Sequence, residues 1–232
     1  VTDQNTCDLA LEASIKALSM AKLKPEEIDL IILSTTTPDK IFPATATMLQ
    51  NRLGASCPAF DLQAVCAGFV FALTTAQQYI ENGSAKNILV VGSETMSKIV
   101  DWSDRSTAIL FADGAGAVVL SADNTTGIKH SKLFSDGSYL SSLHVNNNGI
   151  DELGTIHMEG NEVFKIAVNR LSDLAEETLN ECNISSEDLT WMVPHQANIR
   201  IIKAVAKRIK LPMEKVIQTL DKHGNTSAAS IP

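Results

Sequence analysis

The stretch "PEEIDLIIL", residues 25–33, returns in altered form as "SSEDLTWMV", residues 185–193. In both, a proline- or serine-led acidic turn opens into an apolar run of strand length, and in both an amphipathic helical pattern comes first. The likeness is of pattern more than of identity, at a shift of about 161 residues or one fewer. A chain that repeats helix, turn and strand at such a distance reads as an α/β fold made of two equivalent halves. The same shift sets Cys66 opposite Ser227, inside "HGNTSAAS" (223–230), so that the starts of two equivalent helices face each other across a pseudo-twofold axis.

Outward from that stretch, helical and strand periods alternate. "LALEASIKALSMAKL" (9–23) has helical periodicity, Pro25 with the following acidic pair predicts a turn, and "IDLIILSTTT" (28–37) a strand. "ATATMLQNRLG" (44–54) predicts a helix closed by Gly54, "CPAFDLQ" (57–63) a short strand, and "CAGFVFALTTAQQYIENG" (66–83) a central helix, apolar nearly all round. "KNILVVG" (86–92) predicts a buried strand, and "TAILFADGAGAVVLS" (107–121) two strands joined around Asp113 and Gly114. That Gly-x-Gly is weak as a nucleotide motif, since no helix follows it.

The repeat divides the chain into halves at 1–126 and 127–232, the first carrying Cys66. It also predicts strand and hairpin partners near 248–282, past Pro232, and some 30 or more residues before Val1 equivalent to the strands at 128–160. The chain therefore reads as the middle of a longer protein, truncated at both ends.

Composition narrows the function. The 232 residues are 44% hydrophobic, 20% charged and 5% aromatic, as in globular domains rich in small aliphatic residues. No apolar run approaches the roughly 20 residues needed to cross a bilayer, and the start lacks the pattern of a signal peptide. The four cysteines (7, 57, 66 and 182) show neither CxxC pairing nor metal-ligand spacing, which predicts reduced thiols and no metal centre. A net charge of −8 argues against a general affinity for nucleic acid. Against that acidity, residues 196–210 hold five of the 19 basic residues and none of the 27 acidic ones.

Three sites carry candidate chemistry. Cys66 stands where an extended run gives way to a helix. A buried core thiol is one reading; the other is a nucleophile, with the helix N-terminus stabilising the thiolate, Ala67 and Gly68 leaving room for substrate, and Asp61 too far back to repel it. His195 in "WMVPHQAN" (191–198) ends a strand reading as buried and precedes a helix that Asn198 can cap; a structural and a functional histidine are both open. Asn225 in "DKHGNTSAAS" suits either a tight turn or an amide aimed into a site. Taken together, a nucleophile and two hydrogen-bond donors are the set that acyl transfer through a thioester needs. The helix after His195 sets Ile202, Val205, Ala206 and Ile209 on one side and Arg200, Lys203, Lys207 and Lys210 on the other, a face suited to an anionic partner.

The motifs "AVCAGF" (64–69), "PHQANIRI" (194–201) and "LDKHGNTSAAS" (220–230), with "CPAFDL", "ADGAGA", "DGSY" and "GNEVFK", resemble the beta-ketoacyl-acyl carrier protein synthase III family across essentially the whole chain. The resemblance implies a thiolase-like five-layer α/β fold of two duplicated halves, a cytoplasmic homodimer, and no cofactor beyond a CoA thioester used as substrate. It implies acetyl transfer from acetyl-CoA to Cys66, then decarboxylation of malonyl-acyl carrier protein with His195 and Asn225 bonding its thioester carbonyl. The products would be acetoacetyl-acyl carrier protein, CO2 and CoA. It further implies CoA contacts at Arg105, Asn161, Phe164, Ala197, Asn198 and Arg200, and a carrier-protein face of Arg200, Lys203, Lys207 and Arg208. An acyl pocket of Phe42, Met96, Phe111, Leu143 and Ile156 completes the set, Phe42 reaching across the dimer. Family members also use a glycine-rich oxyanion loop and an aromatic CoA platform, which would lie past Pro232 and before Val1; the 232 residues alone are then not expected to be competent. A specialised condensing enzyme with a longer acyl starter, or a non-catalytic scaffold binding a carrier protein, are the alternatives.

Overall fold

Helix α1 (Thr6–Ala21) starts where the Asp8 carboxylate accepts the Asn5 N–H at 2.7 Å, and it stops at Lys22, whose φ of 56° turns the chain out of the helix. Its buried stripe is Thr6, Cys7, Ala10, Ser14, Ala17 and Leu18, mostly small residues that let the helix approach a sheet closely. The computed structural model describes residues 2–125, 127–147 and 153–232. Two units are distinguished: Val1–Met96, Asp113–Ile128 and Thr226–Pro232 form the first, Ser97–Ala112 and Lys129–Asn225 the second. The boundary that the repeat sets at 126 falls outside the described residues.

The first unit is built on a four-stranded sheet. Strand β1 (Leu30–Ser34) pairs in parallel with β2 (Ala59–Leu62) and with β3 (Asn87–Glu94), while β4 (Gly114–Ser121) runs antiparallel on the far side of β3, giving the order β2-β1-β3-β4. Every residue of β1 is buried, because both sheet faces are covered. Alternate side chains separate the two cores. Ile31, Leu33, Leu89 and Val91 join α1 and α2 (Thr45–Leu53) on one face, and Leu30, Ile32, Ile88 and Val90 join α3 (Gly68–Glu81) on the other. Each such aliphatic side chain contributes about 1.5–3 kcal/mol by leaving water. The segment Thr226–Pro232 lies against β3 so closely that a Cβ on Gly92 would stand 2.4 Å from the Ala228 carbonyl oxygen; glycine is required there because the obstacle is backbone.

The second unit holds a short helix α4 (Arg105–Ala108), the hairpin of β5 (Leu143–Asn147) and β6 (Leu153–Met158), and helices α5 (Gly160–Glu181), α6 (Ile199–Arg208) and α7 (Leu220–His223). Ile202, Ala206 and Ile209 bury the apolar stripe of α6 against Ala175 and Leu179 of α5, as the spacing predicts.

Two predicted strands do not form. Residues 107–121 give one strand, not two, because the Asp104 carboxylate accepts the Ser106 N–H at 2.9 Å and winds Arg105–Ala108 into a helical turn; only a single bridge, Phe111 to Asn225, follows before β4. The "WMV" segment is likewise one bridge, Met192 to Val216, with Trp191 and Val193 exposed. Apolar composition marked these residues as strand, but among the described residues no neighbouring strand extends either bridge into a ladder.

Left-handed residues follow α1 at Lys22 (56°) and α5 at Asn183 (53°), and open the 3-10 turns at Val65 (48°) and Ser227 (49°).

Candidate active site

Cys66 sits in the 3-10 turn Val65–Ala67, between the end of β2 and the start of α3. The preceding Val65 adopts a left-handed conformation that costs a β-branched residue on the order of 1–3 kcal/mol. Such strain persists only where the surroundings fix the turn, and here the 3-10 turn Ser227–Ser230 packs against it. Gly68 does not leave room for substrate as the sequence suggests. It is buried, and a Cβ there would lie 1.9 Å from the Ser34 hydroxyl oxygen.

The expected acidic thiol is also overturned. Burial pushes the Cys66 thiol up to about 11, hydrogen bonding with Ser227 opposes that, and the nearby Glu94 carboxyl adds to it. Any favour from the helix start is outweighed by desolvation. Asp61 is indeed directed away: its two carboxylate oxygens accept the Thr45 and Ala46 N–H groups, each at 2.7 Å, capping α2.

Glu94 was not singled out by sequence reasoning. Its Oε2 accepts from Thr36 N (2.9 Å), Thr37 Oγ1 (2.9 Å), Thr37 N (3.2 Å) and Thr35 Oγ1 (3.2 Å), so it organises the turn after β1. Burial nevertheless holds its carboxyl above the ordinary range. The available signal was a lone acid at the end of an uninterrupted apolar strand.

In the second unit His195 follows the bridge at Met192, and burial alone lowers it to about 4, leaving a neutral imidazole at pH 7. Its neighbour Gln196, fully buried, fixes the segment: Nε2 donates to Pro194 O (2.9 Å) and Ile217 O (3.2 Å), and Oε1 accepts from Thr219 N (3.0 Å). Sequence reading passed over Gln196 because a surface glutamine looks the same. Asn225 is buried and clasped by backbone: its N–H donates to Leu110 O and its carbonyl accepts from Ala112 N, both at 2.9 Å. Cys66 belongs to the first unit, His195 and Asn225 to the second.

The remaining candidates fall into groups. Arg200 stacks its guanidinium over the Phe164 ring, 5.1 Å from the centroid, so two of the proposed CoA contacts meet. Asn198 caps α6, its Oδ1 accepting the Arg200 N–H at 2.8 Å, as predicted, and Ala197 precedes it. Arg105 and Asn161 are exposed at the first turns of α4 and α5. Lys203 and Lys207 are exposed on α6, but Arg208 is engaged by Asp173 (2.6 Å) and Glu176 (3.2 Å) of α5. Acids absent from α6 itself are thus supplied by its neighbour. Met96 and Ile156 are buried, Phe111 and Leu143 half-buried, and Phe42 is 82% exposed. The register sets Leu143 and Ile156 on one face of the hairpin.

Comparison with known proteins gives a consistent result. The family model described as 3-oxoacyl-[acyl-carrier-protein (ACP)] synthase III matches residues 60–137, and its C-terminal companion matches 179–232. Beta-ketoacyl-[acyl-carrier-protein] synthase III of Vesicomyosocius okutanii is 70% identical over all 232 residues, which span 74% of that relative. The protein of the same name from Neisseria gonorrhoeae (strain NCCP11945) is 54% identical over 99% of the chain and 74% of its own length. The crystal structure of 3-oxoacyl-[acyl-carrier-protein] synthase III from Aquifex aeolicus superimposes with a TM-score of 0.95 at 44% identity, over 99% of this chain and 74% of that one.

Proposed function

Since the chain belongs to the 3-oxoacyl-[acyl-carrier-protein] synthase III family, we propose that it initiates fatty acid synthesis by joining an acetyl group to malonyl-acyl carrier protein. It is an acyltransferase with the thiolase-like fold. Cys66 attacks the acetyl-CoA carbonyl; its sulfur–carbon bond forms, the bond to CoA sulfur breaks, and the thiol proton leaves with CoA. Malonyl-acyl carrier protein then loses CO2, and the electron pair of the broken carbon–carbon bond becomes an enolate. That enolate attacks the acetyl-Cys66 carbonyl, the new carbon–carbon bond expels the Cys66 thiolate, and the thiolate is reprotonated.

The low value of His195 supports its part. A neutral imidazole keeps an N–H to donate to the enolate oxygen, beside the Asn225 amide, without a permanent cation that would hold malonate in its ground state. CO2 release drives the condensation, and beyond the CoA thioester substrate no cofactor takes part. The α6 cations Arg200, Lys203 and Lys207 suit an acidic carrier. A homodimer is the working assembly, its contact including the exposed Ile41 and Phe42, and four free thiols suit the reducing cytoplasm.

The observation that carries this reading is the turn of Cys66: a strained left-handed residue presents the thiol, while Cys7 and Cys57 lie buried in the core of the first unit. The test is labelling with radioactive acetyl-CoA followed by peptide mapping. Label confined to the Cys66 peptide, and lost in Cys66→Ser, is expected. Label on another cysteine, or none in active protein, would overturn the acyl-enzyme.

A further inference from the structure

The hairpin of the second unit brings together two histidines, 13 positions apart in sequence, that play no part in the chemistry above. His144 and His157 are direct cross-strand partners in β5 and β6, their side chains on the same face, with ring centroids 5.0 Å apart and planes tilted by 42°. Leu143 and Ile156 point to the opposite face. We propose that His144 and His157 form a two-histidine binding site for a divalent transition-metal ion, with water filling the remaining positions.

Three observations support it. The first is spacing. A metal about 2.0–2.1 Å from one nitrogen of each imidazole, at a tetrahedral angle, sets the two ring centroids about 5 Å apart, the separation that the two rings have. The second is orientation. His144 Nδ1 lies 3.2 Å from the Ser141 carbonyl oxygen, and a carbonyl can only accept, so Nδ1 carries the proton and Nε2 presents its lone pair. A ligating histidine generally donates its other ring N–H in this way to a carbonyl or carboxylate. The third is charge. Asp104, on the segment leading into α4, is near enough for electrostatic interaction with His157 and favours a cation beside it.

Imidazole nitrogens select Zn2+, Ni2+ or Cu2+ over the hard cations Mg2+ and Ca2+. Among the described residues no group of three or more histidine, cysteine, aspartate and glutamate side chains forms a metal cage. The site is accordingly bidentate, open and exchangeable, tying β5 to β6 from the face opposite Leu143 and Ile156. It does not depend on any acyl role of those two residues.

The test is isothermal titration of the protein with Ni2+ and, separately, Zn2+, beside His144→Gln and His157→Gln, with Mg2+ as a control. Wild type is expected to take up one Ni2+ or Zn2+ that Mg2+ does not displace, with affinity falling about tenfold or more in each variant as chelation is lost. Thermal unfolding gives a second readout: the metal raises the midpoint of wild type and leaves both variants unmoved. Uptake unchanged in either variant, or no uptake by wild type, would overturn the site. Variants with metal-free midpoints equal to wild type exclude misfolding as the reason for lost binding.

Discussion

Thr37 grips Glu94 twice, its hydroxyl at 2.9 Å and its N–H at 3.2 Å from the same carboxyl oxygen. Thr35 and Thr36 supply two more donors. Glu94→Ala strands four donors in a buried turn and is expected to cost about 2–4 kcal/mol, whereas Glu94→Gln keeps an acceptor and should cost less than about 1 kcal/mol. Urea midpoints of the two variants decide this. Because burial holds the Glu94 carboxyl above its unfolded value, its contribution is full at acid pH and is lost as pH rises through the folded value.

A thiol raised to about 11 has, at pH 7, a thiolate fraction on the order of 1 in 10,000. Alkylation of Cys66 by iodoacetamide in the free protein should therefore be slow at neutral pH and climb roughly tenfold per pH unit through pH 9. Mass spectrometry of the Cys66 peptide reads the rate. A fast, pH-independent reaction near pH 7 would show that the thiolate is stabilised after all.

His195 titrates at about 4 in the fold against an ordinary 6.5. As pH falls the unfolded chain takes the proton first, so this contribution is fully present above 6.5 and drains away towards 4. Wild type is expected to lose up to about 3 kcal/mol across that window that His195→Asn does not lose. Denaturation at pH 7 and pH 4 for both proteins measures the difference.

Gln196 spans Pro194, Ile217 and Thr219 with one amide. Gln196→Ala should cost about 1–3 kcal/mol in stability and, by loosening His195, lower kcat for condensation more than the rate of acetyl-Cys66 formation. Single-turnover labelling beside steady-state kinetics separates the two steps.

On α6, Lys203→Glu with Lys207→Glu is expected to raise KM for malonyl-acyl carrier protein about tenfold or more while leaving kcat and acetyl transfer from CoA near wild type. The effect should shrink as salt rises. Arg208→Ala should alter KM far less, since Asp173 and Glu176 already engage its charge.

Periodicity made the helices and the central strands legible, because β1 and β3 are covered on both faces and α6 on one, and burial writes itself into apolar spacing. It failed at residues 107–111 and 191–193, where apolar side chains stay partly exposed and no strand pairs with them beyond one bridge. The identities of Cys66, His195 and Asn225 stood out as chemistry. The proton affinities of Cys66 and His195 did not, since burial sets both, and at Cys66 hydrogen bonding with the sequence-distant Ser227 opposes it while the charge of Glu94 adds to it. Nor does a valine announce that it will take a left-handed turn.

The segment Thr226–Pro232, seated over Gly92, also sets an order of assembly. During synthesis the sheet of the first unit emerges early, yet the strip that covers β3 comes only after nearly all of the second unit has been made. The nascent sheet must wait with that surface bare, and the Val65–Ala67 turn is braced only when Ser227–Ser230 arrive. Ribosome-bound intermediates would accordingly hold Cys66 in an unbraced turn, an interval in which its thiol is open to oxidation and the bare sheet to capture by chaperones.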